Sequence, residues 1–550
     1  MRFPVLAICF LASAIHFAFS QPYSYIDSVK YRQLDSIASQ DVPAHAPGIA
    51  TGIVRNGQIV YSKYFGYANL SDSVQINEHS RFNIASNAKQ FTALAILLLV
   101  KQQKISLDDD IRKFLPDLYT GIKHKILIKH LLNHSSGIRD IYDLWSVQGI
   151  VWWKTILNNQ DALQLLQKQK ELNFKPGTTY LYSNSNYILL AQIIEKVTGE
   201  SFVNYTKNLF TKLDMPHTAF VDNHKKIDAP IAKPYFNFNQ WVNYDWLCDI
   251  HGDGNLFTTL TDQLQWEKII QLGHHDSIPT GLIKKSQQLT GNSEIKEYGY
   301  GLEFGAYKGI QYRFHEGATG AWKATLLRFP KDSLSVITLT NSGKTIPATQ
   351  TRQMADILLN LSAQTPLVYS WPNRNGTFAS ASDIVGIYTD NKDFSFQFEQ
   401  RDSIFYLKRF GRNEIQLVRE SDNVFHQTND PTFKMEFIKD KKSKLQVTAY
   451  HPSHAPYTLD KVDYDWENFD FRRMSGKFQN DETKQFLLIE YLSGQTFNIK
   501  LGDNETNGIL ITPTKLLSDG FQLAIQNNID LNTVYFNMNR VKNLRFDRIK

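Results

Sequence analysis

The stretch Asn83-Ile84-Ala85-Ser86-Asn87-Ala88-Lys89-Gln90-Phe91, followed by the apolar run Thr92 to Val100, decides how this chain is read. As a helix it places Ser86 at the amino-terminal end and Lys89 one turn further on, on the same face. A hydroxyl and an amine held in that way can form a nucleophile with its own base. The helix behind them is apolar on every side, so it is expected to run through a core. A nucleophile fixed to a buried helix is better positioned than one on a surface loop. Ser-x-x-Lys also occurs at Ser293 to Lys296, so the spacing alone decides nothing and the rest of the chain must supply the missing parts.

Length and composition narrow the setting. At 550 residues the chain suggests about two to four domains. Its 42% hydrophobic and 21% charged residues are those of a globular protein and not of a disordered one. A net charge of +6, with Lys and Arg unclustered, gives nucleic-acid binding no support. Residues 1–20 form a targeting segment: Arg2, the apolar run Phe3 to Phe19, and Ala18-Phe19-Ser20 as a small-x-small cleavage pattern before Gln21. An uncleaved anchor is the alternative, but the run is short for a membrane span and contains His16. No lipobox-like junction accompanies Cys9, and cleavage leaves Cys248 as the one cysteine, which excludes an internal disulfide. The expectation is a periplasmic or secreted protein with no stable membrane insertion after cleavage.

Outward from the Ser86 helix, Tyr23 to Ser39 reads as an amphipathic helix. Ile49 to Val54 and Gln58 to Tyr61, joined by Asn56-Gly57, read as an antiparallel hairpin. Ile126 to Asn133 is an apolar helix stopped by His134-Ser135-Ser136-Gly137, and Tyr187 to Val197 is a helix closed by Gly199. The segment Tyr142 to Asn159, with three tryptophans, either walls a cleft or fills a local core. Tyr298 to Phe304, Tyr312 to Phe314, Trp322 to Phe329 and Leu334 to Thr340 read as strands, and Thr349 to Leu361 as a helix. Beyond Thr365 alternating patterns take over. Two units begin alike (Gly386-Ile387-Tyr388, Gly476-Lys477-Phe478) and end alike (Leu459 to Val462, Phe546 to Ile549), which suggests a duplicated small β-barrel or half-barrel. No constellation of reactive residues is legible there. The expected boundaries are 21–365 for the first domain, 366–379 for a linker, and 380–463 and 464–550 for the β units.

A serine hydroxyl needs a base, which lysine can be if burial lowers its pKa. A phenol at Tyr182 and an amide at Asn184 offer a proton relay and a substrate contact. His315-Glu316-Gly317-Ala318 enters a strand whose edge could supply backbone donors to an oxyanion, with Gly317 allowing close approach. His274-His275-Asp276 and His451 to His454 sit in polar loop contexts without further ligands, and Cys248 reads as a packed thiol. His134 and His251 read as structural.

In this order and at these separations, the three motifs resemble the serine β-lactamase and penicillin-recognising family, particularly its class C and D-stereospecific peptidase or esterase branch. The flanks Leu107 to Pro116, Ile128 to Gly137, Phe174 to Asn184 and Gly254 to Trp266 also look like family signatures, and the resemblance covers Tyr25 to Ser362. It implies an α+β fold, an antiparallel sheet flanked by helices with an all-helical subdomain, followed here by C-terminal antiparallel β-barrel-like units. It further implies Ser86 as acylated nucleophile, Lys89 as its proton acceptor, and Tyr182 as donor to the leaving group and later activator of water. Asn184 would bind the substrate carbonyl, His315 would polarise Tyr182, and the N–H groups of Ser86 and Ala318 would hold the oxyanion. No metal or organic cofactor is implied.

Two departures stand out. His315 replaces the lysine of Lys-Thr-Gly, and Glu316 stands in place of its threonine. A glutamate facing the cleft would repel a substrate carboxylate, unless it points away. The expected function is an exported serine hydrolase acting through a Ser86 acyl-enzyme on a D-amino-acid peptide, amide or ester. The alternatives are a β-lactamase or a slowly deacylating penicillin-binding-like sensor. Partners are expected to be a small-molecule or peptide substrate. The β units resemble accessory domains that restrict the cleft in some D-aminopeptidase relatives.

Overall fold

The computed structural model describes residues 26–361, 384–390, 395–409, 414–440, 442–451, 454–525 and 532–550. The expected targeting segment 1–20 and linker 366–379 lie outside them. Asp27 caps the first helix, α1 (Ser28–Ser39), by accepting from the N–H groups of Val29 and Lys30. Strands β1 (Ile49–Arg55) and β2 (Gln58–Phe65) follow, joined by Asn56 and Gly57, both at positive φ (51° and 73°) as a tight hairpin turn requires. Helix α2 (Lys89–Lys101) is buried over all but its last turn. Helices α3 (Asn184–Thr198) and α4 (Leu260–Leu272) each end in a left-handed glycine, Gly199 and Gly273. Strands β3 (Glu303–Tyr307), β4 (Ile310–Thr319), β5 (Trp322–Phe329) and β6 (Leu334–Thr340) precede α5 (Pro347–Leu358).

These six strands form one antiparallel sheet in the order β3-β4-β5-β6-β1-β2. One face packs on α1 and α5 through Tyr312, Phe314, Phe329, Met354 and Leu358. The other face meets α4 and the start of α2, with the helical subdomain beyond. A buried polar node pins these layers. Arg328 of β5 donates to both oxygens of Glu267 on α4 (2.6 and 2.8 Å) and to Gln90 of α2 (2.7 Å), while Trp266 also donates to Gln90 (2.7 Å). The residue after Lys89 is thereby tied to the sheet and to α4 together.

The expected strand Tyr298 to Phe304 begins only at Glu303. Gly301 is left-handed (φ 76°) and lies so close to α2 that a Cβ there would sit 2.4 Å from the Gln90 nitrogen. The chain bends onto α2 before it can pair as a strand.

Both C-terminal units are closed eight-stranded antiparallel barrels, with strands running from Gly386–Thr389 to His454–Lys461 and from Gly476–Gln479 to Val541–Arg548. They close identically, Tyr388 opposite Lys461 and Phe478 opposite Arg548. Closure removes the sheet edges.

Candidate active site

Ser86 lies in a 3₁₀ turn, Ala85–Ala88, that leads directly into α2. Ala85 before it is left-handed (φ 47°), a conformation costly for alanine, and is held by its N–H donating to Asn83 (2.9 Å). Ser86 stays partly exposed while Lys89 is fully buried. Lys89 Nζ is 3.1 Å from Ser86 Oγ, 3.0 Å from Asn184 Oδ1 and 2.6 Å from the Asp253 carbonyl oxygen. Burial pulls its pKa down to about 7, with Asp253 and Asp140 opposing and Arg540 adding to the fall. The neutral amine has two N–H groups and one lone pair. When Lys89 is neutral, the two carbonyl oxygens can take its N–H groups, which leaves the lone pair for the Ser86 hydroxyl.

Tyr182 lies just before α3, its ring 5.0 Å from Lys89 Nζ. Its hydroxyl is buried beside that of Ser86. Burial holds its pKa well above that of an ordinary phenol, and Arg540 and the Ser86 hydroxyl pull against that rise. Asn184, the first residue of α3, accepts from Lys89 and donates through Nδ2 to Asp140 (3.0 Å), which also accepts from its backbone N–H (2.7 Å). The amide is therefore fixed on both sides before substrate arrives.

His315 is placed differently from its expected role. Its Nδ1 lies 2.8 Å from the Glu316 carbonyl oxygen, which can only accept, so Nδ1 carries the proton and Nε2 accepts from Tyr298 Oη at 2.8 Å. Its ring centroid is 6.2 Å from that of Tyr182 with no hydrogen bond between them. Burial, with Lys89 nearby, drops its pKa to about 3, so it is a neutral ring and supplies no charge to Tyr182. The ring against Tyr182 is instead His134, centroid to centroid 4.2 Å. Its Nδ1 accepts from the Ser183 N–H (3.2 Å).

Glu316 requires a correction as a substrate-binding residue. Side chains alternate along β4: Tyr312 and Phe314 pack towards α5, while His315 and Gly317 face the helical side. Glu316 follows Phe314 and meets Arg352 of α5 at 3.5 Å. The strand pleat, which a single sequence does not orient, turns the carboxylate to the opposite face of the sheet. Gly317 sits against the Ser86 turn, where a Cβ would lie 2.4 Å from the Ile84 carbonyl oxygen and 3.0 Å from Ser86 N. Strand β3 stops with Glu303 opposite Phe314, so 315–319, Ala318 included, has β5 on one side and no strand on the other. That edge, beside Ser86, is where backbone donors can face an oxyanion.

Of the two histidine pairs, His275 lies in a loop and pairs with Asp214 (3.3 Å), whereas His451 ends a strand, Leu445–His451, and pairs with Asp430 (3.4 Å). Burial pushes the Cys248 thiol up to about 12, which leaves it inert. In the 142–159 segment, Trp145 is buried and Trp153 exposed, and Tyr142 donates to Asp253 (3.1 Å).

One residue at the site comes from the far end of the chain. The last hairpin of the second barrel, Thr533–Met538 and Val541–Arg548, turns at Asn539-Arg540 and enters the cleft. The Arg540 guanidinium carbon is 4.6 Å from the Tyr182 ring centroid, and Nη1 is 3.6 Å from Asp140. Nothing in the sequence says where the tip of this hairpin lands.

A family model described as Beta-lactamase matches residues 34–361. The chain belongs to the beta-lactamase family. It is 30% identical over 328 residues to Protein flp of Staphylococcus aureus, a match that covers 56% of this chain and 62% of that protein. It is 27% identical over 408 residues to a D-aminopeptidase of Brucella melitensis, covering 69% of this chain and 75% of that protein. The solved octameric penicillin-binding protein homologue of Pyrococcus abyssi matches with a TM-score of 0.57 at 25% identity, over 78% of this chain and 99% of that one. The chain spans a little over three fifths of the length of the Staphylococcus aureus relative it matches.

Proposed function

We propose that this protein is an exported serine hydrolase that forms a Ser86 acyl-enzyme with D-amino-acid amides, esters or short peptides. The observation that carries the reading is the buried Lys89 amine, 3.1 Å from Ser86 Oγ and held there by the Asn184 and Asp253 carbonyl oxygens at 3.0 and 2.6 Å. The similarity to a D-aminopeptidase supports the D-amino-acid preference.

In the proposed reaction Lys89 takes the Ser86 proton as Oγ bonds to the substrate carbonyl carbon. The oxyanion accepts from the N–H groups of Ser86 and Ala318. Tyr182 gives its proton to the leaving nitrogen or oxygen as that bond breaks, and regains one from the Lys89 ammonium. Lys89 is then neutral, and the Ser86 proton has in effect moved to the leaving group. In deacylation Tyr182 takes a proton from water while passing its own to Lys89. The hydroxide adds to the acyl carbon, and Ser86 leaves with the Lys89 proton.

The test is a time course of fluorophosphonate labelling with Ser86→Ala alongside, and turnover of D- and L-aminoacyl amides, esters and benzylpenicillin. The expected result is labelling and turnover lost in Ser86→Ala, D-substrates preferred, and activity rising with pH through about 7 as Lys89 loses its proton. Efficient penicillin hydrolysis would favour a β-lactamase. Stable labelling with slow recovery after a substrate pulse would favour a sensor.

A further inference from the structure

The charge that acts on Tyr182 is supplied from outside the domain that carries the nucleophile. His315, which stands where the family pattern has a lysine, is a buried neutral ring whose two nitrogens are both occupied. His134, stacked on Tyr182, uses Nδ1 as an acceptor and is held neutral by burial, with Lys89 and His315 adding to the effect. Lys89 is the other cation near the phenol, and it must shed its charge to act as a base. The guanidinium of Arg540 stays charged throughout.

Arg540 is also placed with care. Its N–H donates to Asp143 Oδ2 at 2.8 Å, and its carbonyl accepts from Asn173 Nδ2 at 3.0 Å. Two residues on, the Lys542 N–H donates to Asn173 Oδ1 at 2.7 Å. Arg139 then donates to the carbonyls of Lys542 (3.3 Å) and Asn543 (3.2 Å) and to Glu482 (2.6 Å). The tip of the hairpin is thus held by hydrogen bonds to groups of the N-terminal domain, while the guanidinium is left over the Tyr182 ring.

We propose that Arg540 is a positioning residue for the hydrolytic reaction: the last hairpin of the second barrel delivers a permanent cation to the face of Tyr182, where it stabilises the anionic character that the phenol acquires as it passes protons. A cation over an aromatic face interacts more strongly as the ring gains negative charge. The acids whose charge reaches Arg540 or Tyr182 are Asp140, Asp143, Asp253 and Glu303. Asp140 pairs with Arg540, the Asp253 carboxyl is raised by burial against the pull of Lys89, and Glu303 is pushed up to about 8 by burial and by Glu316. None of these supplies positive charge. Arg540 therefore does for Tyr182 what His315 does not.

This inference rests on the proposed hydrolase reading, and the test separates the two. Arg540→Met and Arg540→Lys are made in the full chain with Ser86→Ala alongside, and kcat and KM are measured on an amide, an ester and a dipeptide with a free carboxylate. Expected for Arg540→Met is a kcat about ten-fold or more lower on all three, with KM little changed. Arg540→Lys, or added guanidinium, recovers part of it. Thermal melting and the stoichiometry of fluorophosphonate labelling identify folded variant, and kcat is referred to labelled sites. An unchanged kcat overturns the proposal, as does a loss confined to KM on the carboxylate-bearing substrate, since Arg540 would then be a substrate-binding group. If Ser86→Ala keeps its turnover, the hydrolase reading itself falls.

Discussion

The two C-terminal barrels share strand number, closure and register at the seam, yet they meet the N-terminal domain in opposite ways. The first, between residues 386 and 461, keeps its own apolar core of Tyr388, Phe398, Phe437 and their neighbours. Its attachment to the sheet runs through Arg352 of α5, 3.8 Å from Asp430, on the side away from the nucleophile. In the second, between 476 and 548, the core is continuous with that of the N-terminal domain. It presents a buried ion pair, Arg139–Glu482, and a hairpin that ends over Tyr182. Duplicated topology therefore says nothing about duplicated role. What differs is which loop carries a charged tip and whether the facing surface has donors and acceptors to hold it.

Three experiments bear on that contrast, in falling order of effect. Arg139→Met leaves Glu482 buried without its cation, and breaking such a pair costs about 3 kcal/mol or more. We expect a clear drop in Tm together with loss of turnover. Intact activity would show that the second barrel does not need its latch. Asn173→Ala removes one hydrogen bond to the Arg540 carbonyl and one from the Lys542 N–H, each worth about 1 kcal/mol. The expected outcome is a several-fold lower kcat, about the change that a loosened charge over Tyr182 would give, with a Tm near that of the parent. Arg352→Met releases Glu316 and Asp430 and is expected to cost about 1 kcal/mol with kcat retained, because these pairs are long and Glu316 is 42% exposed. A loss of kcat as large as that of Arg139→Met would erase the distinction between the barrels.

How far the sequence could be read follows from the range of the interactions involved. The Asn56-Gly57 hairpin and the strands Trp322 to Phe329 and Leu334 to Thr340 are set by local periodicity and turn chemistry, and they were legible. Ser86 and Lys89 are one turn apart on a single helix, so their contact is a local fact as well. Tyr298 to Gly301 was not legible, since its course depends on contact with α2. Nor was the direction of Glu316, since an alternating strand has two faces and only the packing of α5 says which is which.

By itself the sequence determined the family motifs, the nucleophile helix, and the presence of two related β units, because each depends on residues close along the chain or on a pattern repeated within it. Tertiary structure alone decided that Lys89 is buried enough for its pKa to fall to about 7, that His315 bonds Tyr298 and not Tyr182, and that Arg540 reaches the site across several hundred residues of chain. Burial and cross-domain contact are properties of assembled surfaces. The charge at Tyr182 is set by such a surface, in which the tip of one barrel is held against the helix of another domain.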